Sequence, residues 1–271
     1  MGRQRIPYGT ADRTKGGYRK FPSGGPLKRH VTAPARGAHA PVPGFSREAL
    51  DGTTRFPSRR FAADAVPRLL ISGMNSRKIG KRVTKGKWKG MPIYTLTLVE
   101  RETCPRSCKA WLTCYGNNMH YSRRIIAGAE LERRLREELW VAAARHPEGF
   151  VVRLHVLGDF YSLDYVRLWE QAINDLPALR VFGYTARHHE DDPIGRELYR
   201  IARDRWDRFA MRFSGQGLDR LGAEIIEPGA SSPHVICPAQ RARPSGKPMA
   251  DCCAACAFCW HGTKTVAFYE H

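Results

Sequence analysis

Strand-like and helix-like segments alternate along most of the chain after residue 90. Apolar residues with the pattern of a buried strand occupy 91–100, 150–158, 179–187 and 208–214, with a weaker segment at 223–228. Helical patterns occupy 122–146, 162–175 and 192–205. Such alternation is typical of consecutive right-handed βαβ units, which place their strands in one parallel sheet. The sequence therefore predicts an α/β fold with a partial or full TIM-barrel-like sheet, or an open sheet, whose functional residues follow the carboxyl ends of the strands.

Three residues mark the expected helix starts. Ser122 and Ser162 are predicted N-caps, because a serine oxygen can accept a bond from a free backbone N–H of the first turn. Pro193 is expected in the first turn of the third helix, where its missing N–H does no harm. In the first helix, Ile125 and Ile126 are expected on the apolar face.

The composition divides the 271 residues into four regions. Residues 1–60 are rich in Gly, Pro, Arg and Ser and show no strand or helix period, which predicts a largely irregular basic arm. Residues 61–90 form a basic linker, and residues 91–230 form the α/β core with a three-cysteine loop. Residues 231–271 form a cysteine-rich C-terminal metal module.

The positive charge is concentrated at the start of the chain. The net charge is +19, and residues 1–90 hold 21 Lys and Arg against four Asp and Glu. Residues 91–271 hold 24 Lys and Arg against 22 Asp and Glu. A basic segment on a near-neutral body suggests a nucleic-acid partner bound through residues 1–90, since phosphates attract such segments without regard to sequence. The alternative is a solvated segment that maintains solubility.

The eight cysteines are predicted to bind metal rather than to form disulfides. No apolar run reaches the roughly 20 residues of a membrane span, and residues 1–10 lack the apolar stretch of a secretory signal. These features predict a cytoplasmic protein with no membrane partner, in which thiols stay reduced. The chain also lacks phosphate-loop, serine-hydrolase and zincin motifs, so nothing in it supports those enzyme classes.

Four cysteines near the C-terminus have the spacing of a closed metal site. Cys253, Cys256 and Cys259 run as C-x2-C-x2-C, and Cys237 lies sixteen residues before Cys253. Four thiolates suit a [4Fe–4S] cluster or a zinc ion. The tight run favours iron–sulfur, because zinc sites more often use two paired CxxC knuckles, and zinc is the alternative metal. Either Cys252 or Cys253 is expected not to bind the metal.

A second group, Cys104, Cys108 and Cys114, follows the first predicted strand with the spacing C-x3-C-x5-C. Three thiolates can hold a [4Fe–4S] cluster and leave one iron without a protein ligand, and an open coordination position is where substrates bind in catalytic metal sites. Alternatively, His155 or Cys252 completes the ligand set, or all the cysteines serve two clusters that provide only structure or electron transfer. One or two clusters are therefore expected.

Two later strand ends carry further candidate residues. Gly158 and Asp159 close the second predicted strand, where they are expected to bind a cofactor and the acid is a candidate catalytic base. The alternative role for Asp159 is to cap the following helix. Tyr184 and Arg187 end the third strand and are further catalytic candidates, because a polar strand end suits an anionic substrate. The alternative is an ordinary exposed loop.

The order of these features resembles the opening of radical S-adenosylmethionine enzymes, which use a partial or full barrel. In that family, three cysteines hold a [4Fe–4S] cluster, and the methionine part of S-adenosylmethionine chelates the open iron. The resemblance implies that Cys104, Cys108 and Cys114 are cluster ligands and that LGDF at 157–160 lies near the cofactor amine. The family spacing is usually C-x3-C-x2-C, whereas the second gap here has five residues.

A second resemblance covers most of residues 91–271. The motifs TCPRSC, CYG, LHVLGDFYS, VFGYTAR and the C-terminal CxxCxxCW follow one another in the chain. Their order is similar to that in the phage-associated gene product eighty-eight-like family. This resemblance implies the architecture and the cysteine roles and does not imply a reaction.

Together these expectations lead to two main functions. The first is an iron–sulfur enzyme of the radical S-adenosylmethionine type that acts on nucleic acid or a nucleotide. The alternative is a non-catalytic iron–sulfur or zinc protein that binds nucleic acid, with both clusters stabilising the fold. A third hypothesis is that the protein is a structural component of a larger nucleoprotein assembly.

Overall fold

A computed structural model describes residues 41–76, 78–227, 229–241 and 249–269. The first 40 residues of the predicted basic arm lie outside the described residues. Among those described, no helix combines the length and the apolarity that crossing a membrane requires.

The described ranges contain ten strands, six α-helices and four short 3-10 helices. The strands are β1 (Arg60–Phe61), β2 (Ile71–Ser72), β3 (Ile93–Thr95), β4 (Arg124–Ile125), β5 (Phe150–Leu154), β6 (Leu179–Thr185), β7 (Phe209–Ser214), β8 (Gly222–Ile226), β9 (Val235–Ile236) and β10 (Val266–Tyr269). The helices are α1 (Arg47–Asp51), α2 (Ala129–Arg145), α3 (Leu163–Asp175), α4 (Pro193–Asp204), α5 (Cys253–Cys256) and α6 (Phe258–His261).

Eight of the strands form one sheet in the order β2-β3-β5-β6-β7-β8-β10-β9. All neighbouring pairs are parallel except β2 with β3. From β3 to β8 the spatial order of these strands follows the chain, as expected for consecutive βαβ units. The predicted α/β class with a mostly parallel sheet is confirmed. Within the described residues the sheet remains open, with β2 and β9 at its edges, so the closed form of the predicted barrel is not observed.

The two faces of the sheet pack against different parts of the chain. Alternate strand residues such as Val152 and Leu154 join the core formed with α2, α3 and α4. The opposite face, here called the inner face, carries Val151 and Phe182. Two segments cover the inner face: residues 78–91, here called the strap, and the C-terminal segment with α5 and α6. Since both faces are buried, the strands read as continuous apolar runs.

Two of the three predicted helix starts are confirmed. Ser162 Oγ accepts a bond from the Tyr165 N–H at 3.0 Å, and Pro193 opens α4 directly after its N-cap Asp192. The predicted start at Ser122 is wrong, because α2 begins only at Ala129. The intervening β4 pairs with β1, and this long-range pairing buries Ile125 in the core and outweighs the helical pattern of the local sequence.

Gly183 lies where no side chain fits. It pairs with Leu154 across β5 and β6, and an added Cβ would lie 2.1 Å from the Leu154 carbonyl oxygen. We expect Gly183→Ala to lower the free energy of unfolding by roughly 2 to 3 kcal/mol, because the two central strands would have to separate. Urea unfolding followed by circular dichroism measures this. Gly217→Ala is the matched control, since an added Cβ there has no atom within 4 Å; equal losses in the two variants would contradict the close packing of β5 on β6.

Candidate metal centre

The cysteine loop, residues 99–123, is folded around a buried ion pair. Arg124 Nε lies 2.7 Å from Glu100 Oε2, and neither side chain is more than 1% exposed. Thr54 donates to the second carboxylate oxygen at 2.7 Å. The remaining guanidinium N–H groups donate to carbonyl oxygens of the loop itself, at Gly116, Met119 and Ser122. A buried charge pair is tolerated when its remaining polar atoms are also bonded, as they are here.

A second buried arginine holds the middle of the cysteine loop. Arg101 donates to the carbonyl oxygens of Trp111 and Thr53 and, at 2.6 Å, to Asn117 Oδ1. Its backbone has φ 65°, which is unfavourable for a residue with a side chain and costs about 1 kcal/mol. The three hydrogen bonds keep the strained residue in place.

Residues 41–60 support the cysteine loop from outside. The Val42 N–H donates to the Leu112 carbonyl at 2.9 Å, and Arg106 of the loop donates to the Ala49 carbonyl at 2.8 Å. The Arg106 guanidinium also lies 4.7 Å from the Trp111 ring centroid. This stretch, which sequence analysis placed in the irregular arm, includes α1 and packs against the loop.

The three thiols of the loop share one electrostatic environment. Cys104, Cys108 and Cys114 are free and half-buried. Burial raises the pKa of Cys104 well above its ordinary value, and Asp159 and the other two cysteines raise it further. Burial likewise raises the pKa of Cys108 to about 11, and it raises the pKa of Cys114 together with the charge of Glu100. The metal-free thiols are therefore protonated at neutral pH, and binding a cation there would release protons.

The donor chemistry of these thiols suits a metal, although their side chains do not converge. In the part of the chain that is described, no group of three or more His, Cys, Asp or Glu side chains is arranged to hold a metal ion. A thiol reaches a new position by rotation about a single side-chain bond. Three neighbouring thiols on one loop are a donor set that iron–sulfur clusters and zinc prefer.

Asp159 fastens the end of β5 to the end of β6. Its carboxylate accepts from Thr185 Oγ1 at 2.8 Å and from the N–H groups of Phe160 at 2.8 Å and Ala186 at 2.7 Å. Its own N–H donates to Thr103 Oγ1, directly before Cys104. Burial raises the pKa of Asp159 to about 6, while these hydrogen bonds oppose the rise. The carboxyl therefore lies beside the cysteine loop with both oxygens already bonded.

Gly158 permits this close approach. It has φ 84°, and an added Cβ would lie 2.6 Å from Thr103 Oγ1 and 2.7 Å from Leu98 Cβ. Only glycine allows both the left-handed backbone and the contact with the start of the cysteine loop. Its role in this structure is to let two strand ends meet.

Arg187 connects three loops at the same edge of the sheet. Its guanidinium donates to the carbonyl oxygens of Phe160 at 2.9 Å and Thr103 at 3.3 Å, and to Asp192 Oδ2 at 2.9 Å. Arg187, Asp159 and the cysteine loop therefore come together at the carboxyl ends of β3, β5 and β6, where functional residues were expected. The loop reaches β7 as well, because Lys109 lies over Gly215 directly after that strand.

Tyr184 belongs to the other cysteine group. Its hydroxyl donates to Cys259 Sγ at 2.7 Å, and burial, together with the charge of Cys259, raises its pKa well above the ordinary value. Tyr184 lies on the inner face of the sheet, whereas the neighbouring Thr185 bonds Asp159. Two adjacent residues of β6 thus serve two different sites.

The C-terminal cysteines also lie near enough for their charges to act on one another. Burial raises the pKa of Cys253, and the charges of Cys259, Cys237 and Cys256 raise it further. Cys252 faces the strap instead, since its Sγ would lie 2.9 Å from a Cβ added at Gly80. Cys252 is thus placed with the C-terminal cysteines rather than at the cysteine loop.

Sequence analysis missed two arginines of the inner face. Arg212 is fully buried, and its guanidinium donates to carbonyl oxygens of Cys259, Gly222, Lys264, Phe258 and Gly262. It therefore fixes the backbone that carries Cys259. The available signal was a cation inside an apolar strand, in RFAMRFS.

The second arginine of the inner face is Arg153, which lies between the two cysteine groups. Its guanidinium is 4.9 Å from the Tyr184 ring centroid, and its buried Nη1 has no hydrogen-bond partner among the described residues. Burial raises the pKa of Cys253 and of Tyr115, the neighbour of Cys114, and the charge of Arg153 opposes both rises. A guanidinium in this position can balance negative charge on either group.

His155 packs in the helical core. Its Nε2 bonds the Tyr165 hydroxyl at 3.0 Å, and its ring meets Phe160 edge-on. The structure therefore joins His155 to α3, and neither contact leads to the cysteine loop.

One family of known proteins is similar to this chain. The family model described as Gene product 88 matches residues 69–262. The chain belongs to the Gene product 88 family. No curated protein and no solved structure matches it.

Membership in the Gene product 88 family confirms the second resemblance seen in the sequence. The matched region contains all eight cysteines and the candidate residues at the strand ends. It also includes most of the basic linker, which sequence analysis had left outside the resemblance. The resemblance to radical S-adenosylmethionine enzymes has no support from these comparisons and stays a hypothesis.

The buried ion pair should control access to the cysteine loop. We expect Glu100→Gln to lower the free energy of unfolding by about 3 kcal/mol, because it leaves Arg124 as a buried uncompensated charge. The thiols of the loop should then react faster with a disulfide reagent. Glu102→Gln is the control, since its pair with Arg60 is partly exposed and worth about 1 kcal/mol at most. Unchanged thiol rates in Glu100→Gln would contradict the role of the pair.

The buried histidine should make stability fall in acid. Burial lowers the pKa of His155 from 6.5 to about 3, so below about pH 6.5 the unfolded chain binds a proton that the folded chain does not. Stability is retained above pH 6.5 and is lost as pH falls, by about 2 kcal/mol between about pH 6.5 and 4.5. His155→Gln should remove this part of the pH dependence, measured as the difference in urea unfolding from the parent chain. Parallel pH profiles of the two proteins would contradict it.

Proposed function

We propose that this Gene product 88 chain is an iron–sulfur enzyme whose cysteine loop holds a [4Fe–4S] cluster with one iron open to a small molecule. One observation carries the proposal: three half-buried thiols of one loop are near enough for the charges of Asp159, Cys108 and Cys114 to act on Cys104, where consecutive parallel strands end, although the thiols do not converge on one point. The carboxyl ends of parallel strands are the usual site of ligand binding in α/β folds. Three thiolates leave one corner of a cubane without a protein ligand, and that corner provides the reactive position.

S-adenosylmethionine is the candidate cofactor for the open iron. The proposal rests on the resemblance of the three-cysteine loop and the Gly-acid strand end to radical S-adenosylmethionine enzymes, which use a partial barrel. Parallel strands in chain order from β3 to β8 fit such a partial barrel. When bound, this cofactor supplies one-electron chemistry to a substrate.

Asp159 and Arg187 act by positioning the cysteine loop in this proposal. Both oxygens of Asp159 and three nitrogens of Arg187 are already bonded to neighbouring strand ends. Proton transfer by Asp159 would require one of these bonds to open. Gly158, which lies against Thr103 at the start of the cysteine loop, would help to hold the cofactor by keeping this junction free of a side chain.

The C-terminal group, Cys237, Cys253, Cys256 and Cys259, is proposed to hold a second closed [4Fe–4S] cluster, with zinc as the alternative metal. The run of α5 and α6 places three of these thiols on two consecutive short helices. Tyr184, whose hydroxyl donates to Cys259 Sγ, would then adjust the electronic properties of the cluster rather than contact substrate.

Nucleic acid or a nucleotide is the proposed substrate class. The support is the charge of residues 1–90, with 21 Lys and Arg against four Asp and Glu. Backbone phosphates attract a segment of this kind through release of counterions.

A second candidate function is a non-catalytic metal protein that binds nucleic acid. The observation in its favour is that Asp159 and Arg187 are fully engaged in holding strand ends together. In that case both cysteine groups stabilise the fold through their metals.

Metal content separates the cluster hypotheses. After anaerobic purification we expect about eight irons and eight sulfides per chain, as two [4Fe–4S] clusters require, falling to about four in Cys104→Ser and in Cys108→Ser. Cys252→Ser is the matched control and should retain the full content. Zinc without iron in the parent chain would exclude the enzyme proposed here.

The reaction itself is tested with the reconstituted chain. Dithionite and S-adenosylmethionine should yield 5′-deoxyadenosine, and Cys104→Ser should yield none. Intact clusters without this product would favour the non-catalytic function.

A further inference from the structure

The strap carries a dense positive charge on a fixed backbone. Within nine residues it exposes five cations and no acid: Lys81, Arg82, Lys85, Lys87 and Lys89. Its large apolar residues Ile79, Val83 and Trp88 are buried beneath, and Met91 is partly buried against the same core. The strap therefore packs its apolar side chains on the protein and presents only charge to solvent.

Hydrogen bonds fix the strap at the amino ends of the strands. The Ile93 N–H at the start of β3 donates to the Lys81 carbonyl at 2.9 Å. Trp88 Nε1 donates to the Asp207 carbonyl at 3.1 Å, two residues before β7, and the Trp88 ring stacks on Trp260 at 5.3 Å. These contacts fix the backbone that carries the lysines before any ligand binds, which lowers the entropy cost of binding.

Arginines from the near-neutral body join the same edge. Arg145 ends α2 shortly before β5, Arg180 is the second residue of β6, and Arg205 and Arg208 lie between α4 and β7. Because the strands are parallel, their amino ends lie along one edge of the sheet. The acidic residues in these turns and at the helix ends beside them are Glu148, Asp175, Asp204 and Asp207. We call this set of cations, with the strap, the amino-end surface.

Like charges on this surface lie close enough to repel one another. The pKa of Arg208 is lowered by burial and, further, by Arg180 and Arg205. The pKa of His146 is likewise lowered by burial and then by Arg145 and by Arg82 of the strap. Such repulsion in the free protein is relieved when a polyanion binds.

We propose that the amino-end surface binds the phosphodiester backbone of a nucleic acid. The inference rests on the nucleic-acid partner in the proposed function and assigns it an ordered surface. This surface lies at the opposite edge of the sheet from the cysteine loop. The backbone contacts therefore anchor the polyanion away from the proposed open iron.

The surface fits a nucleic acid better than an anionic membrane. A membrane-binding segment inserts apolar side chains between lipids. Among the described residues, no exposed large apolar side chain belongs to the strap or to the turns themselves, and the nearest in sequence to Arg145 are Trp140 and Val141 on α2. Charge without an apolar anchor is the footprint of phosphate contacts.

The test uses the full chain with Lys85, Lys87 and Lys89 all changed to Gln. Probes are a DNA duplex of about two helical turns and a single-stranded RNA of equal length, titrated by fluorescence anisotropy between about 50 and 200 mM salt. We expect affinity to fall about tenfold or more at the lower salt for whichever probe the parent binds. The salt slope should become shallower by about 2 to 3, because each lost phosphate contact contributes about 0.9.

Two triple variants with the same change of net charge provide controls. Arg133, Arg136 and Arg167 changed to Gln lie on the outer helices α2 and α3 and should alter affinity less than about twofold. Lys15, Arg19 and Lys20 changed to Gln test the first 40 residues. Thermal melting of each variant verifies that it is folded.

Several outcomes would overturn the inference. If the strap variant binds as the parent does while the Lys15 variant loses affinity, the nucleic-acid partner stands and the amino-end surface is wrong. Equal losses in the strap and outer-helix variants would show an effect of net charge alone. Phosphatidylserine vesicles serve as a third probe, and if the strap variant loses binding only to them, the surface binds membranes instead. If the parent chain binds neither probe, both this inference and the nucleic-acid part of the proposed function fail.

Discussion

The cysteine loop keeps its shape because Glu100 and Arg124 neutralise each other inside it. Taking a carboxylate and a guanidinium out of water is costly, and the pair is retained only because its other polar atoms bond Thr54 and the loop carbonyls. A polar interior lets a loop with few large apolar residues adopt one conformation. The pair therefore specifies where three thiols lie, more than it adds to the stability of the sheet.

Parallel strand ends then bring separate segments to that loop. Asp159 and Arg187 each bond two strand ends, and both also contact Thr103 at the start of the loop. Burial raises the pKa of the Asp159 carboxyl, although neither of its oxygens is free. The strand ends that bury it also supply the hydrogen-bond donors. Strand alternation explains why Tyr184 and Thr185 serve different cysteine groups.

The inner face joins the two groups through charge. Arg153 lies between them with an unpaired Nη1, and Arg212 gathers five carbonyl oxygens around the backbone of Cys259. In the proposed function, clusters ligated by thiolates would carry net negative charge, and these cations beside them would reduce the cost of burying it. The basic strap crosses the same face, with its tryptophan inside and its lysines outside.

The sequence by itself determined the α/β class, the parallel order of the central strands, the starts of α3 and α4, and the two sets of cysteines. These follow from local periodicity, capping and spacing, which each segment carries on its own. Only the tertiary structure decided that Ser122 starts no helix, that Arg124 and Arg212 are buried and Arg153 partly buried, and that Tyr184 meets Cys259. It also placed the cations of the body beside the strap. Each of these depends on contacts between residues far apart in the chain, and a charged side chain shows no local sign of the partner that permits its burial.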